Sequence, residues 1–186
     1  MIFAQWRARR ASKAVIEQIL GEIVAAARRP SLYEALDAPD TINGRFEHLA
    51  LHAGLVLRRL TALGGLGDAI AQDLVNRVFA HFDDTLREMG LSDIAVAKRL
   101  RAMGSAFYGR NAAYAGALDD DSVAGLAAAL ARNVYGAGED AAPKAEALAR
   151  HVAFLDAAMA TIPIETFAAG RFRFPSGFIP AGDRHD

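Results

Sequence analysis

Pro39-Asp40-Thr41-Ile42-Asn43-Gly44-Arg45-Phe46-Glu47-His48-Leu49-Ala50-Leu51-His52 sets the fold. It reads as a turn, a helix cap and the opening turns of a helix. Asp40 or Thr41 caps the helix, because a short oxygen-bearing side chain satisfies the free amide groups of a first turn. The helix is expected to run to about Leu63. Phe46, Leu49, Ala50, Ala53, Leu57 and Leu60 make one stripe, and Leu51 and Leu55 carry apolar character toward the other side. A helix apolar on more than one side belongs at the centre of a helical protein.

Working outward, residues 12–27 repeat Val15, Ile16, Ile19, Leu20, Ile23 and Val24 at helical spacing after Ser12. Arg28-Arg29-Pro30 ends that helix, and Ser31 to Leu36 reads as one short turn. After the Gly64-Gly65 break, Leu74, Val75, Val78, Phe79, Phe82 and Leu86 face one way up to Met89. Gly90 then closes the helix as a left-handed residue. A helix capped at Ser92 or Asp93 carries Val96, Leu100, Met103 and Phe107, and is expected to fray at Gly109. Asp119 to Ser122 caps an alanine-rich helix to about Tyr135, and Pro143 to Ala160 forms another. Strand-like alternation is absent. The reading is all-α: a single-domain, compact bundle of about six helices over residues 1–170. Residues 171–186 follow as an irregular tail, with Phe172, Phe174 and Phe178 to tie part of it down.

The chain has 186 residues, 53% hydrophobic, with a formal net charge of −1 and no cysteine. That charge argues against general nucleic-acid binding. The missing cysteines remove disulfides, thiolate metal sites and thiol nucleophiles. No run of about 18 apolar residues offers a membrane span. Residues 1–29 nevertheless hold five arginines and one lysine against Glu17 and Glu22. Phe3 and Trp6 among Arg7, Arg9 and Arg10 suit an anionic membrane surface. The same residues also suit a plain extension of the first helix.

Three polar groups invite chemistry. His48 and His52 lie four apart on one helix face, the spacing that lets two imidazoles share a metal. Leu49 stands where a zinc protease needs glutamate, and no third ligand pattern appears. Asp83-Asp84 could hold magnesium against a diphosphate, but only one such cluster exists, and Asp83 with Arg87 makes an ordinary i, i+4 pair. A helical metal- or diphosphate-binding enzyme using one of these groups is the alternative class. Asp84 and Glu88 are like-charged at i, i+4, an arrangement relieved if Arg45, Lys98 or Arg99 approaches from a neighbouring helix. Arg28, Arg29 and Tyr33 crowd one helix end, and Tyr108 shares a side with Lys98 and Arg101. No catalytic constellation assembles, so no cofactor is expected and the reading is not an enzyme.

In order and spacing, these pieces resemble the ubiquinol–cytochrome c chaperone family. The likeness runs from about Ala25 to Tyr135. It is densest in Arg28 to Tyr33, Pro39 to Phe46, Leu51-His52, Arg58 to Leu60, Leu86 to Gly90, Lys98-Arg99 and Phe107 to Arg110. The resemblance implies a chaperone that binds newly made cytochrome b and assists assembly of the ubiquinol–cytochrome c oxidoreductase. It resembles a bacterial form, implying a cytoplasmic place, peripheral on the inner face of the plasma membrane. No sequence feature fixes an oligomeric state. The expected contact set is Arg28, Arg29, Tyr33, Arg45, His48, Asp84, Arg87, Glu88, Lys98, Arg99, Tyr108 and Arg110. Most of these are expected to line or buttress a polar groove between the second, third and fourth long helices.

Overall fold

The computed structural model describes residues 2–178 except 137 and 139, with side chains from residue 12 onward. Its helices are α1 (Ile2–Ala27), α2 (Pro30–Glu34), α3 (Ile42–Leu63), α4 (Leu66–Glu88), α5 (Asp93–Asp119), α6 (Val123–Leu130), α7 (Ala141–Ala160) and α8 (Ile164–Ala168). Ala131–Tyr135 continues α6 as a π-helical turn. The described residues contain no strand. Phe3, Trp6, Arg7, Arg9 and Arg10 belong to the helical backbone of α1, and their side chains fall outside the described residues.

Thr41 starts α3: its hydroxyl accepts the Gly44 amide at 3.0 Å. Gly44 is required there, since a Cβ would sit 1.9 Å from the Pro39 carbonyl oxygen where the loop folds back. Gly90, at φ 80°, ends α4. Its amide bonds the Arg87 carbonyl at 2.8 Å and the Leu91 amide reaches Leu86 at 3.3 Å, the double closure of a Schellman turn.

α3 is the axis of the bundle, packed against α1, α4, α5 and α7. Its wide apolar surface therefore meets protein on nearly every side, and Leu51, Ala53, Val56 and Leu60 are fully enclosed. At Gly54 the approach of α5 is so close that a Cβ would lie 1.8 Å from the Asn111 side-chain oxygen.

That contact helps explain a departure from expectation. α5 does not fray at Gly109 but continues to Asp119. Buried Tyr114 and the packed Ala117 and Leu118 hold its last turns on the core. The packing outweighs the roughly 1 kcal/mol that a helical glycine costs.

After α8, a turn too short to announce itself by periodicity, residues 171–178 are non-helical. Phe172 and Phe174 are buried, and Phe172 stacks on Phe167 at 4.8 Å between centroids. The Arg29 guanidinium donates to the Pro175 carbonyl at 2.9 Å and to Phe174 at 3.4 Å. Glu22 accepts the Phe174 amide at 3.0 Å. These polar contacts clamp the tail along α1.

Candidate functional site

A groove of about 340 Å³ opens where the end of α1, the start of α3, the end of α4 and the middle of α5 meet. Its apolar lining comes from Val24, Ala27, Phe46, Leu49, Phe82, Leu86 and Met103. Ile42 and Met89 also line it and remain 55% and 42% exposed. Exposed apolar side chains continuous with an apolar trough are the ordinary mark of a contact surface. Arg28, Arg45 and Arg99 complete it, with His81.

The wall is stiff. Phe46 packs on Phe82 at 5.1 Å, and Phe82 on Phe79 at 5.9 Å. The Arg110 guanidinium covers Phe46 at 5.5 Å and pairs with Glu47 at 2.9 Å. Burial pushes the Glu47 carboxyl up to about 7 against the downward pull of Arg110. Arg45 pairs with Asp40 at 2.7 Å, which holds the Asp40 carboxyl below its usual range. Burial, with Arg77 and Arg28 nearby, holds the His81 imidazole below its ordinary value.

The expected contact set divides. Arg28, Arg45 and Arg99 come together on the groove. Lys98 and Glu88 are exposed on α5 and α4 without being among its lining residues. Arg29 is committed to the tail. The Tyr33 hydroxyl donates to the Ala27 carbonyl at 3.2 Å. Asp84 meets Arg77 of its own helix at 3.7 Å, not Arg45, Lys98 or Arg99. Arg87 bonds Asp83 at 2.7 Å and also Asp93. Tyr108, 58% exposed, stacks on Phe79 at 6.1 Å. Arg110 buttresses Phe46 from Glu47.

His48 lies in the core, not on a groove: its relative exposure is 0%. A central helix encloses polar side chains along with apolar ones, and spacing shows the face of a residue without its depth. Neither ring nitrogen of His48 has a hydrogen-bond partner among the described residues. The His52 Nδ1–H donates to the His48 carbonyl at 2.7 Å. Burial drives His48 down to about 4 and His52 down to about 3, so both are neutral. His151 is buried as well, and Phe174 lies 5.2 Å from the His52 ring. Among the described residues, no three of His, Cys, Asp or Glu are grouped to hold a metal. Asp83 and Asp84 each already face an arginine.

A second, wider concavity of about 950 Å³ lies toward the opposite ends of the same helices, between the second half of α3, the start of α4, the second half of α5 and the end of α7. Ala71, Ala112, Ala115 and Ala160 keep it shallow, with Arg58 at one edge between Asp119 at 2.7 Å and Asp156 at 3.1 Å. Sequence reading missed it, since small residues signal close packing and open space alike.

A family model for "Ubiquinol-cytochrome C chaperone" matches residues 34–174. A curated relative, "Ubiquinol-cytochrome-c reductase complex assembly factor 1" of Xenopus laevis, is 29% identical over 121 residues. That match covers 64% of this chain and 60% of the relative's length. The crystal structure of the Cbp3 homolog from Brucella abortus superposes with a TM-score of 0.83 at 36% identity, covering 95% of this chain and 97% of the other. No helix among the described residues is long and apolar enough to cross a membrane.

Proposed function

The chain belongs to the ubiquinol-cytochrome C chaperone family, and from that premise we propose that it assists assembly of the ubiquinol–cytochrome c reductase by holding newly made cytochrome b. The holding surface is the groove between α1, α3, α4 and α5. One observation carries this reading: an open apolar trough with exposed Ile42 and Met89 on its margin and three arginines beside it. Such a surface can cover an apolar segment awaiting its place in a complex, and a stiff wall lowers the ordering cost of binding. The role is binding, not catalysis. The chain works at the inner face of the bacterial plasma membrane, where its client is inserted.

Affinity capture from native membranes after mild cross-linking tests this. The wild-type chain is expected to recover cytochrome b or an assembly intermediate containing it. Ile42→Asp with Met89→Asp is expected to lose that recovery while the thermal midpoint stays within a few degrees, since the two side chains are already 55% and 42% exposed. Equal recovery by a folded double variant would remove the groove from the account. Absence of cytochrome b from the wild-type capture would remove the partner.

A further inference from the structure

The three groove arginines are not equivalent. Arg45 is matched by Asp40 at 2.7 Å. Arg28, just past α1, and Arg99, on α5, are exposed. Neither makes an ion pair or side-chain hydrogen bond among the described residues. No carboxylate is among the residues lining the groove. Positive charge from the end of α1 and from α5 thus borders an apolar trough with no carboxylate in its lining, the nearest acids being Asp84 and Glu88 beside His81 and Asp40 on Arg45.

The occupant has to complement both properties. An apolar segment carrying a carboxylate is costly in water, where its apolar side chains are exposed. It is also costly in the bilayer core, where its charge is. This groove relieves both costs at once: a guanidinium offers a planar fork for a carboxylate, and the recessed apolar lining accepts the neighbouring side chains. A membrane surface matches less well. The apolar lining is largely sunk between four helices, where side chains can enter and a layer of headgroups cannot.

We infer that the groove reads an acidic side chain set among bulky apolar ones in its client segment, with Arg28 and Arg99 holding the carboxylate and Ile42 and Met89 gripping its neighbours. This rests on the groove being the holding surface proposed above.

A photo-reactive amino acid at Asn43, which lines the groove, tests it in the full chain. Cross-linking in native membranes is followed by mapping of the attached residues. The expected attachment is to a cytochrome b segment containing Asp or Glu beside Leu, Ile, Phe or Met. Arg28→Glu with Arg99→Glu is expected to lower the yield at least tenfold, each charge-assisted bond accounting for about a factor of ten. Replacing the contacted acid by Lys is expected to restore it. Arg99→Gln alone serves if the double variant fails to fold.

Three results would overturn the inference while leaving the holding role intact: a contacted segment without a carboxylate, a yield unchanged in the folded arginine variants, or attachment to phospholipid while cytochrome b is still captured. Capture of cytochrome b with no attachment from Asn43 would instead reject the groove itself. Failure to capture cytochrome b would reject both readings.

Discussion

The two ends of the polar sequence on α3 have opposite fates. At its start, Ile42 and Arg45 open onto a groove and remain in contact with water. One to two turns further on, His48 and His52 are buried, with Tyr33 beside His48 and Phe174 of the tail against His52. Both ends show polar residues beside an apolar stripe, and both invite a functional reading. The difference lies in what covers them. Among the described residues, none packs over the α1–α3–α4–α5 junction, whereas Phe174, held by Arg29 and Glu22, closes the histidine end. Polar residues left open and unmatched are available to a partner. Polar residues enclosed and held neutral set the conditions under which the fold survives.

The largest expected effect falls on the closed end. Phe172→Ala removes a fully buried ring stacked on Phe167, and is expected to cost about 3–5 kcal/mol, read as a lower urea midpoint. Arg29→Ala follows at about 1–3 kcal/mol, because two tail carbonyls lose their donor. If Arg29→Ala left the urea midpoint unchanged, the tail would not be a working cover and the contrast between the two ends would weaken.

Acid response sharpens the same contrast. An unfolded histidine takes up a proton near its ordinary value of about 6.5, but buried His48 resists until about 4. Below pH 6.5 the unfolded state therefore binds more protons, and stability falls as pH drops toward 4. Glu47 works in the opposite sense. Its folded value of about 7 exceeds the unfolded one, so its contribution is present below about 4.5 and is lost as pH rises toward 7. His48→Leu is expected to flatten the acid limb of a denaturation series between pH 4 and 6.5, and Glu47→Gln to flatten the limb between 4.5 and 7. A limb unchanged by either substitution would mean that the residue is not buried as described.

The smallest stability effects belong to the open end. Arg28→Glu and Arg99→Glu are expected to stay within about 0.5 kcal/mol in denaturant, with their consequence confined to client binding. A large loss of stability would instead make them structural.

The helices were legible because they depend on local signals. Thr41 before an apolar repeat, Gly90 after one and Pro163 beyond α7 all act within a turn or two. Where distant contacts decide, the sequence was silent. The extent of α5 past Gly109 depends on Gly54 and the core beneath Tyr114, and no local signal encodes that meeting. His48 and Arg45 share a helix and lie three residues apart, yet only tertiary packing separates a core residue from a rim residue. Asp84 and Arg110 show the same limit: their partners, Arg77 and Glu47, are fixed by geometry, and the approaches expected from Arg45, Lys98 or Arg99 do not occur. The groove itself is the space left between four helices, and no single segment carries its signature.

The most direct test of the contrast is hydrogen exchange of the free chain against the chain bound to cytochrome b. Holding at the open end predicts slower exchange in the amides around residues 42–49, 82–89 and 99–103, with no change at 148–152 and 172–178. Protection confined to α7 and the tail, with the groove segments unchanged, would place the client on the wrong end of the molecule and contradict the account.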